Sequence, residues 1–468
     1  MPGQRERNTH LEAAVREAGW SYARLAAEIR RLAARTGAEA FLKVGPTHVG
    51  KWVLGTVPSG AAPELIAEVL SRHLGRHLTP GHLGWPDPAS DAAQVDWDID
   101  SLALIALLAE IVRSDTDMDR REFAFSVAAY TAAAATVPTD AWWKAAARLR
   151  QSPETAGSRK VGRGDVQAVS DMVALFQRAD QQWGGGNARA AVISYLSNDV
   201  SSLLRGRFAD ESVRRSLFSA ASELAYLVGF MCFDDHQHGL AQRYFMLSVK
   251  LAAEADDPPM AAHVMRALSH QALDVGRPDD ALAFAAASIE GDRFRLAVPR
   301  ERSLNTVVHA RALAATGART QAASELSRAA IELEHAGEER AGDPGRIFFY
   351  GTASLARQTG LTLAALGDRP GAETQLRRAA HKRPQAAFTR SHALTLAELG
   401  GIQIHSGALE AGCASYGTAL EAMDGIRSAR TRKAALEMRS VLSPFTGRRI
   451  HAVADVDERA AAYLASAQ

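Results

Sequence analysis

A repeated pattern of small residues around a turn constrains this chain more than any other feature. Gly276, Gly317, Gly367 and Gly407 are each followed five residues later by Ala281, Ala322, Ala372 or Gly412. Seven residues further on lie Ser288, Ala329, Ala379 and Ala419, and seven residues before each glycine lie Ser269, Ala310, Gly360 and Gly400. One unit earlier His236 takes the turn position, with Gly229, Ala241 and Ser248 at the matching places; a weaker unit built on Gly186, Ala191 and Asn198 precedes it. Turn-to-turn spacings are 50, 40, 41, 50 and 40 residues. Small residues at fixed offsets are what a helical hairpin needs, because two helices cross closely there and a larger side chain pushes them apart. Leu247, Leu268, Leu326, Leu376 and Leu399 lie between the small positions and are expected to fill the core. The pattern predicts an array of helical hairpins over residues 171–468.

The rest of the chain divides by charge. Residues 1–85 carry eleven Lys and Arg against seven Glu and no Asp, whereas residues 86–119 carry nine acids against Arg113 alone. A basic head before an acidic neck suggests that the head meets a polyanion. At 468 residues, 47% hydrophobic and 23% charged, the composition is globular, and the length suggests roughly two to four domains. Aromatic residues are scarce and alanine abundant, which favours closely packed helices.

Four short helices are expected in the head, residues 8–85. The first covers about 11–17 and stops at Gly19. The second is capped by Ser21 and carries Leu25, Ala26, Ile29 and Leu32 at helical spacing. The third follows Gly45-Pro46 and ends at Gly55; the fourth, 63–74, places Leu65, Ile66, Val69, Leu70 and Leu74 on one face. These residues resemble the Cro/repressor-type (XRE-type) helix-turn-helix: Leu25-Ala26 on the scaffold helix, Val49 and Trp52 inward on the recognition helix, and Gly55 as its stop. The stretch 30–45 between the central helices is longer than the family's tight turn. The resemblance implies a third helix entering the major groove of duplex DNA, where outward side chains near its N-terminus read base edges. Here those are Thr47, His48 and Lys51. Gly50 also falls outward and reads nothing, so direct readout is thin. Arg24, Arg30, Arg31 and Lys43 are expected to neutralise phosphates.

The hairpin array resembles the tetratricopeptide repeat, although its spacing exceeds that family's 34 residues. The resemblance implies a right-handed superhelix whose concave groove is lined by the first helix of each hairpin. Carried onto this chain, the family's groove-facing offsets select Glu223, Tyr226, Phe230, Arg266, His270, Arg311 and Arg357. That set of aromatic and arginine side chains suits an amphipathic anion or a peptide carboxylate; the bland alternative is salt bridging within the array.

Residues 86–170 read as a helical neck, with apolar segments at 102–111 and 123–136 and a polar linker from Ser152-Pro153 to Gly164. Arg120-Arg121 before an apolar run imitates a twin-arginine signal, but the run is too short to span a bilayer. Cys232 and Cys413 lie in apolar helical patterns and are expected to be buried thiols. Asp234, Asp235, His236 and His238 span a tight turn and match no metal-ligand spacing. Gly184-Gly185-Gly186 lacks the lysine and the preceding strand of a phosphate-binding loop. No catalytic motif, cofactor or metal is expected, and the protein is expected in the cytoplasm, off the membrane.

The segments Gly19-Trp20-Ser21-Tyr22, 65–76, 78–84 and 239–245 together resemble actinomycete regulators that join an XRE-type head to a tetratricopeptide-like sensor. That resemblance implies an all-α chain acting as a homodimeric DNA-binding transcriptional regulator, commonly a repressor of secondary metabolism (antibiotic production) or development, with a ligand or partner sensed by the array. The competing expectation is a protein-interaction scaffold with a relict head.

Overall fold

The computed structural model describes residues 7–36, 41–59, 62–74, 80–85 and 159–466 apart from 339 and 449, with isolated positions between 78 and 143. The expected neck helices, the Arg120-Arg121 pair and most of the acidic cluster lie outside the described residues. The fold is all-α. Among the described residues the strands are β1 (Lys160–Val161) and β2 (Arg207–Phe208), paired in parallel. The chain divides into two compact units, one built on the head and including residues 236–243, the other on the rest of the array.

The head contains α1 (Thr9–Glu17), α2 (Tyr22–Thr36), α3 (Pro46–Val53), α4 (Ala62–Leu74) and a short turn, Gly81–Leu83. Its four helices fall where the sequence places them. Asn8 caps α1 by accepting from the Leu11 amide at 2.9 Å, and its own amide donates to the Leu83 carbonyl at 2.8 Å. One side chain therefore satisfies a helix end and closes the domain. Ser21 caps α2 through the Arg24 amide at 3.2 Å. Leu11, Leu25, Ala26, Ile29, Val49, Trp52, Leu65, Ile66 and Leu70 form one core. Gly50 is not outward as the sequence suggests: it is half-buried, and a Cβ there would lie 4.0 Å from the Tyr22 ring. That is ordinary van der Waals distance, so the contact between α2 and α3 would accept a methyl group there.

The array begins earlier than the sequence suggests. The expected linker already carries β1, and α5 (Arg163–Trp183) and α6 (Gly185–Tyr195) follow. Next come α7 (Glu211–Asp234) and α8 (His238–Ala255), then four hairpins: α9 (Pro258–Asp274) with α10 (Pro278–Ser288), α11 (Pro299–Ala315) with α12 (Arg319–Ala336), α13 (Thr352–Ala365) with α14 (Arg369–Lys382), and α15 (Thr389–His405) with α16 (Leu409–Met423). A last pair that the repeat does not mark, α17 (Ala429–Leu442) and α18 (His451–Ser466), ends the described chain. Helix α7 is long and apolar enough to cross a membrane by composition, but 78% of its apolar window is buried, as befits a core helix. Cys232 and Cys413 are both buried free thiols.

The repeat positions behave as the hairpin argument requires. Gly276, Gly317, Gly367 and Gly407 all have positive φ, and His236 takes the same left-handed conformation at φ 57°. Ser269, Ala281, Ser288, Ala310, Ala322, Ala329, Ala372, Ala379 and Ala419 are fully buried. Leu247, Leu268, Leu376 and Leu399 are buried as expected, and Leu326 is half-buried. A further small position, fourteen residues before the turn, adds hydrogen bonds. Ser222 donates to the Ser248 carbonyl at 2.8 Å, and Ser303 donates to the Ala329 carbonyl at 2.6 Å. The weakest unit does not follow the pattern. Its left-handed glycine is Gly184, not Gly186, and Ala191 and Asn198 are exposed. The glycine run there serves close packing: a Cβ on Gly185 would lie 2.9 Å from the Met231 Cα, and one on Gly184 would lie 2.4 Å from the Arg427 carbonyl oxygen.

Gly400 tests the close crossing. A Cβ there would lie 2.5 Å from the Tyr416 ring and 2.9 Å from the Gly412 carbonyl oxygen, whereas one on Gly164 meets nothing. Gly400→Ala is expected to lower unfolding free energy by about 1–3 kcal/mol. Gly164→Ala should be neutral or stabilising by up to about 1 kcal/mol. Urea denaturation of both variants checks this, and equal behaviour would remove the crossing argument.

Candidate functional site

Two sites emerge, one in each unit. On the head, Thr47, His48 and Lys51 are all exposed on α3. His48 does two jobs. Its Nδ1 accepts the Gly45 amide at 3.1 Å, which caps the first turn of α3 and orients the ring. Lys43 and Lys51 are exposed, and neither forms an ion pair among the described residues. The other expected phosphate contacts are engaged locally. Arg24 pairs with Glu28 at 2.8 Å, and Arg31 pairs with the same carboxylate. Both remain exposed, so those pairs are weak and exchangeable. Arg30 donates to the Val44 carbonyl at 2.6 Å, pinning the loop that precedes α3. Its role is positional, since that bond holds the start of α3 against α2.

On the array, the first helices of successive hairpins line one recess of about 1100 Å³, open solvent at its mouth included. Tyr226, Phe230, Arg266, His270, Arg311 and Arg357 all line it, so the structure brings together the whole ligand set chosen from the sequence, apart from Glu223. Glu223 lies behind the wall, accepting from Gln177 at 3.3 Å and facing Arg346 at 3.8 Å. Burial pushes its carboxyl pKa up, against the pull of Arg346.

Sequence reasoning missed most of the lining. Arg346, Phe348, Phe349 and Tyr350 come from the segment between α12 and α13, Arg383 follows α14, Arg390 lies on α15 and Arg430 on α17. A signal for the first group was available. The spacing from Gly317 to Gly367 exceeds its neighbours by about ten residues, and that excess is the segment delivering Arg346 and three aromatic rings. Asp180 on α5 also faces the recess. It reaches Arg390 with contacts of 2.8 and 3.1 Å across 210 residues of chain.

The arginines fall into two groups. Arg390 pairs with Asp180 and, at 3.0 Å, with Asp234. Arg346 meets Glu301 at 2.8 Å, Asp257 at 3.4 Å and Glu223 at 3.8 Å. Burial opposes both charges, but these carboxylates prevail and hold both guanidinium pKa values above the ordinary. Arg357 forks onto Glu398 with contacts of 2.8 and 2.5 Å. Arg266, Arg311 and Arg383 have no carboxylate partner among the described residues. Arg266 donates to the Tyr226 hydroxyl at 2.7 Å and lies over the Tyr226 and Phe349 rings. Arg311 donates to the Gln358 side-chain oxygen Oε1 at 3.3 Å and stands 3.4 Å from His270 Nδ1. Arg383 reaches the Ser354 hydroxyl at 3.2 Å. Burial, reinforced by Arg357, lowers both Arg311 and Arg383 to about 10. Both stay charged at neutral pH, at a cost in solvation that the more distant Glu398, and for Arg311 also Asp274, offsets only in part.

The positive wall keeps its histidines neutral. Burial, then the charges of Arg311, Arg266, Arg430 and Arg357, hold His270 well below its ordinary pKa; burial, Arg266 and Arg346 do the same for His263. Among the described residues no group of three His, Cys, Asp or Glu side chains is placed to hold a metal.

Fold and sites define a class: an all-α chain with a small helical head that exposes Thr47, His48 and Lys51 on one short helix, and a long helical array with an arginine-rich recess. The family model for the SP15 N-terminal domain matches residues 11–86, the head. No curated protein matches the chain.

The neutral histidines give a pH prediction. The unfolded chain takes up a proton on His270 near pH 6.5 and the folded chain does not, so this group contributes stability above that pH and removes it as pH falls. Wild type should therefore lose stability more steeply than His270→Gln between about pH 7 and 5.5, by up to about 1.4 kcal/mol per pH unit. Urea midpoints across that range check it; parallel slopes would place His270 in solvent.

Proposed function

We propose that this chain is a DNA-binding transcriptional regulator whose helical array senses a ligand. In this reading the head works as an XRE-type helix-turn-helix, the hairpins as a tetratricopeptide-like sensor, and the protein as a cytoplasmic homodimer controlling secondary metabolism or development, commonly by repression. The carrying observation is that Thr47, His48, Lys51 and Lys43 are exposed together at α3 and its approach, with both ammonium groups free of ion pairs among the described residues. An uncompensated ammonium beside an exposed helix suits a phosphate backbone. His48 supports the reading in a second way: with Nδ1 held by the Gly45 amide, its other ring nitrogen points outward in a fixed orientation. Half-site pairing is the usual reason for a helix-turn-helix protein to dimerise.

Direct readout is limited to three side chains, so phosphate contacts supply most of the affinity. Log affinity for duplex DNA should fall linearly with log salt, with a slope of about −0.9 per phosphate neutralised. Lys51→Ala should weaken binding at every sequence tested and reduce that slope by about one. Fluorescence anisotropy on genomic fragments at several salt concentrations measures both. No binding at low salt would remove the regulator reading and leave a protein-interaction scaffold.

A further inference from the structure

We propose that the array recess binds a small aromatic dianion, its charged head held by Arg266, Arg311 and Arg383 and its ring by the Tyr226, Phe230 and Phe349 wall. The inference rests on reading the array as a sensor and names the chemistry of what it senses. Three observations carry it. The first is charge. Of the seven arginines lining the recess, four are matched to carboxylates: Arg346, Arg357, Arg390 and, at 3.7 Å from Asp234, Arg430. The lining acids are matched too, Asp180 to Arg390 and Asp274 to Lys433 at 2.8 Å. Arg266, Arg311 and Arg383 are left without carboxylates among the described residues.

The second is unused donors. The Nε atoms of Arg266 and Arg383 are buried without a hydrogen-bond partner, on residues only 3% and 8% exposed. A buried guanidinium N–H without an acceptor is costly, and a forked oxyanion is the group that fits it. Two negative charges match three cations better than one, because a monoanion leaves most of the repulsion among them in place.

The third is the wall. Tyr226 lies 6.0 Å from Phe230, and Arg266 sits over both the Tyr226 and the Phe349 rings. That surface takes a flat apolar body, with the guanidinium presented at its edge.

The test uses the full chain and two probes, phenyl phosphate and isophthalate, each an aromatic ring carrying two charges. Calorimetric titration is expected to show binding of at least one at millimolar concentration or tighter. Inorganic phosphate should bind more weakly, for want of the ring, and benzyl alcohol should not bind, for want of the charge. Arg311→Gln and Arg383→Gln should each weaken the bound probe about 10- to 100-fold. The same variants without probe should be as stable as wild type or more so, because each removes a buried charge lacking a counter-ion; a purely structural arginine would lower stability instead. The proposal is overturned if neither probe binds, if phosphate alone binds as well, if both variants keep wild-type affinity, or if both are destabilised without probe. Duplex binding measured on the same samples separates this failure from failure of the regulator reading. Loss of one leaves the other standing.

Discussion

The guanidinium of Arg390 holds the array closed. It sits on α15 and grips two carboxylates from the start of the array, Asp180 on α5 and Asp234 at the end of α7. A second tie runs through the backbone: the Arg427 amide donates to the Trp183 carbonyl at 3.2 Å. An open stack of hairpins leaves its concave face exposed along its whole length. Here the first helix is drawn across to the fourth hairpin after α8, and the concave face becomes a recess with walls on both sides. Since every member of the Arg390 cluster is nearly fully buried, removing a single partner would leave a buried charge alone, a far larger penalty than the intact cluster imposes.

The recess inherits its electrostatics from that closure. Withdrawing the arginines from water raises the energetic stake of every pairing, favourable or not. Arg346 and Arg390 each collect more than one carboxylate and are held firmly charged. Arg311 and Arg383 collect none, and they move in the opposite direction, to about 10. His270 and His263, pressed against the same charges, give up their protons altogether. The contrast comes from how many carboxylates each arginine meets and how closely: Arg430, with Asp234 alone at 3.7 Å, is lowered too.

The concave face was legible through the tetratricopeptide resemblance: its groove-facing offsets, carried onto this chain, select Tyr226, Phe230, Arg266, His270, Arg311 and Arg357, and all six line the recess. What those offsets could not supply came from outside the repeat. Arg346 and the 348–350 rings sit in the extra residues between α12 and α13; Asp180 belongs to a helix whose small-residue pattern is broken. Asp180 and Arg390 meet across most of the array, and no local pattern in sequence reports a contact of that range. Gly50 failed for a different reason. Its helical position was assigned from Val49 and Trp52 alone, whereas the packing of α2 against α3 widens the buried face to include it. The bond from Arg30 to the Val44 carbonyl, fourteen residues on, is likewise not reported by any local pattern.

The same geometry ties ligand binding to the shape of the array. A dianion held by Arg266, Arg311 and Arg383 would bridge α9, α11 and the chain just after α14, elements of three successive hairpins. Solenoid curvature is the sum of small rotations between such neighbours. On that proposal, an anion shared by the three guanidinium groups would draw these elements together. A ligand shifts an equilibrium between two curvatures only by preferring one of them, and a bridge across three hairpins is a contact that would depend on curvature. The buried Nε donors of Arg266 and Arg383, which lack acceptors among the described residues, would supply that dependence, so a feature that costs the isolated array stability would also be the one a bound anion satisfies.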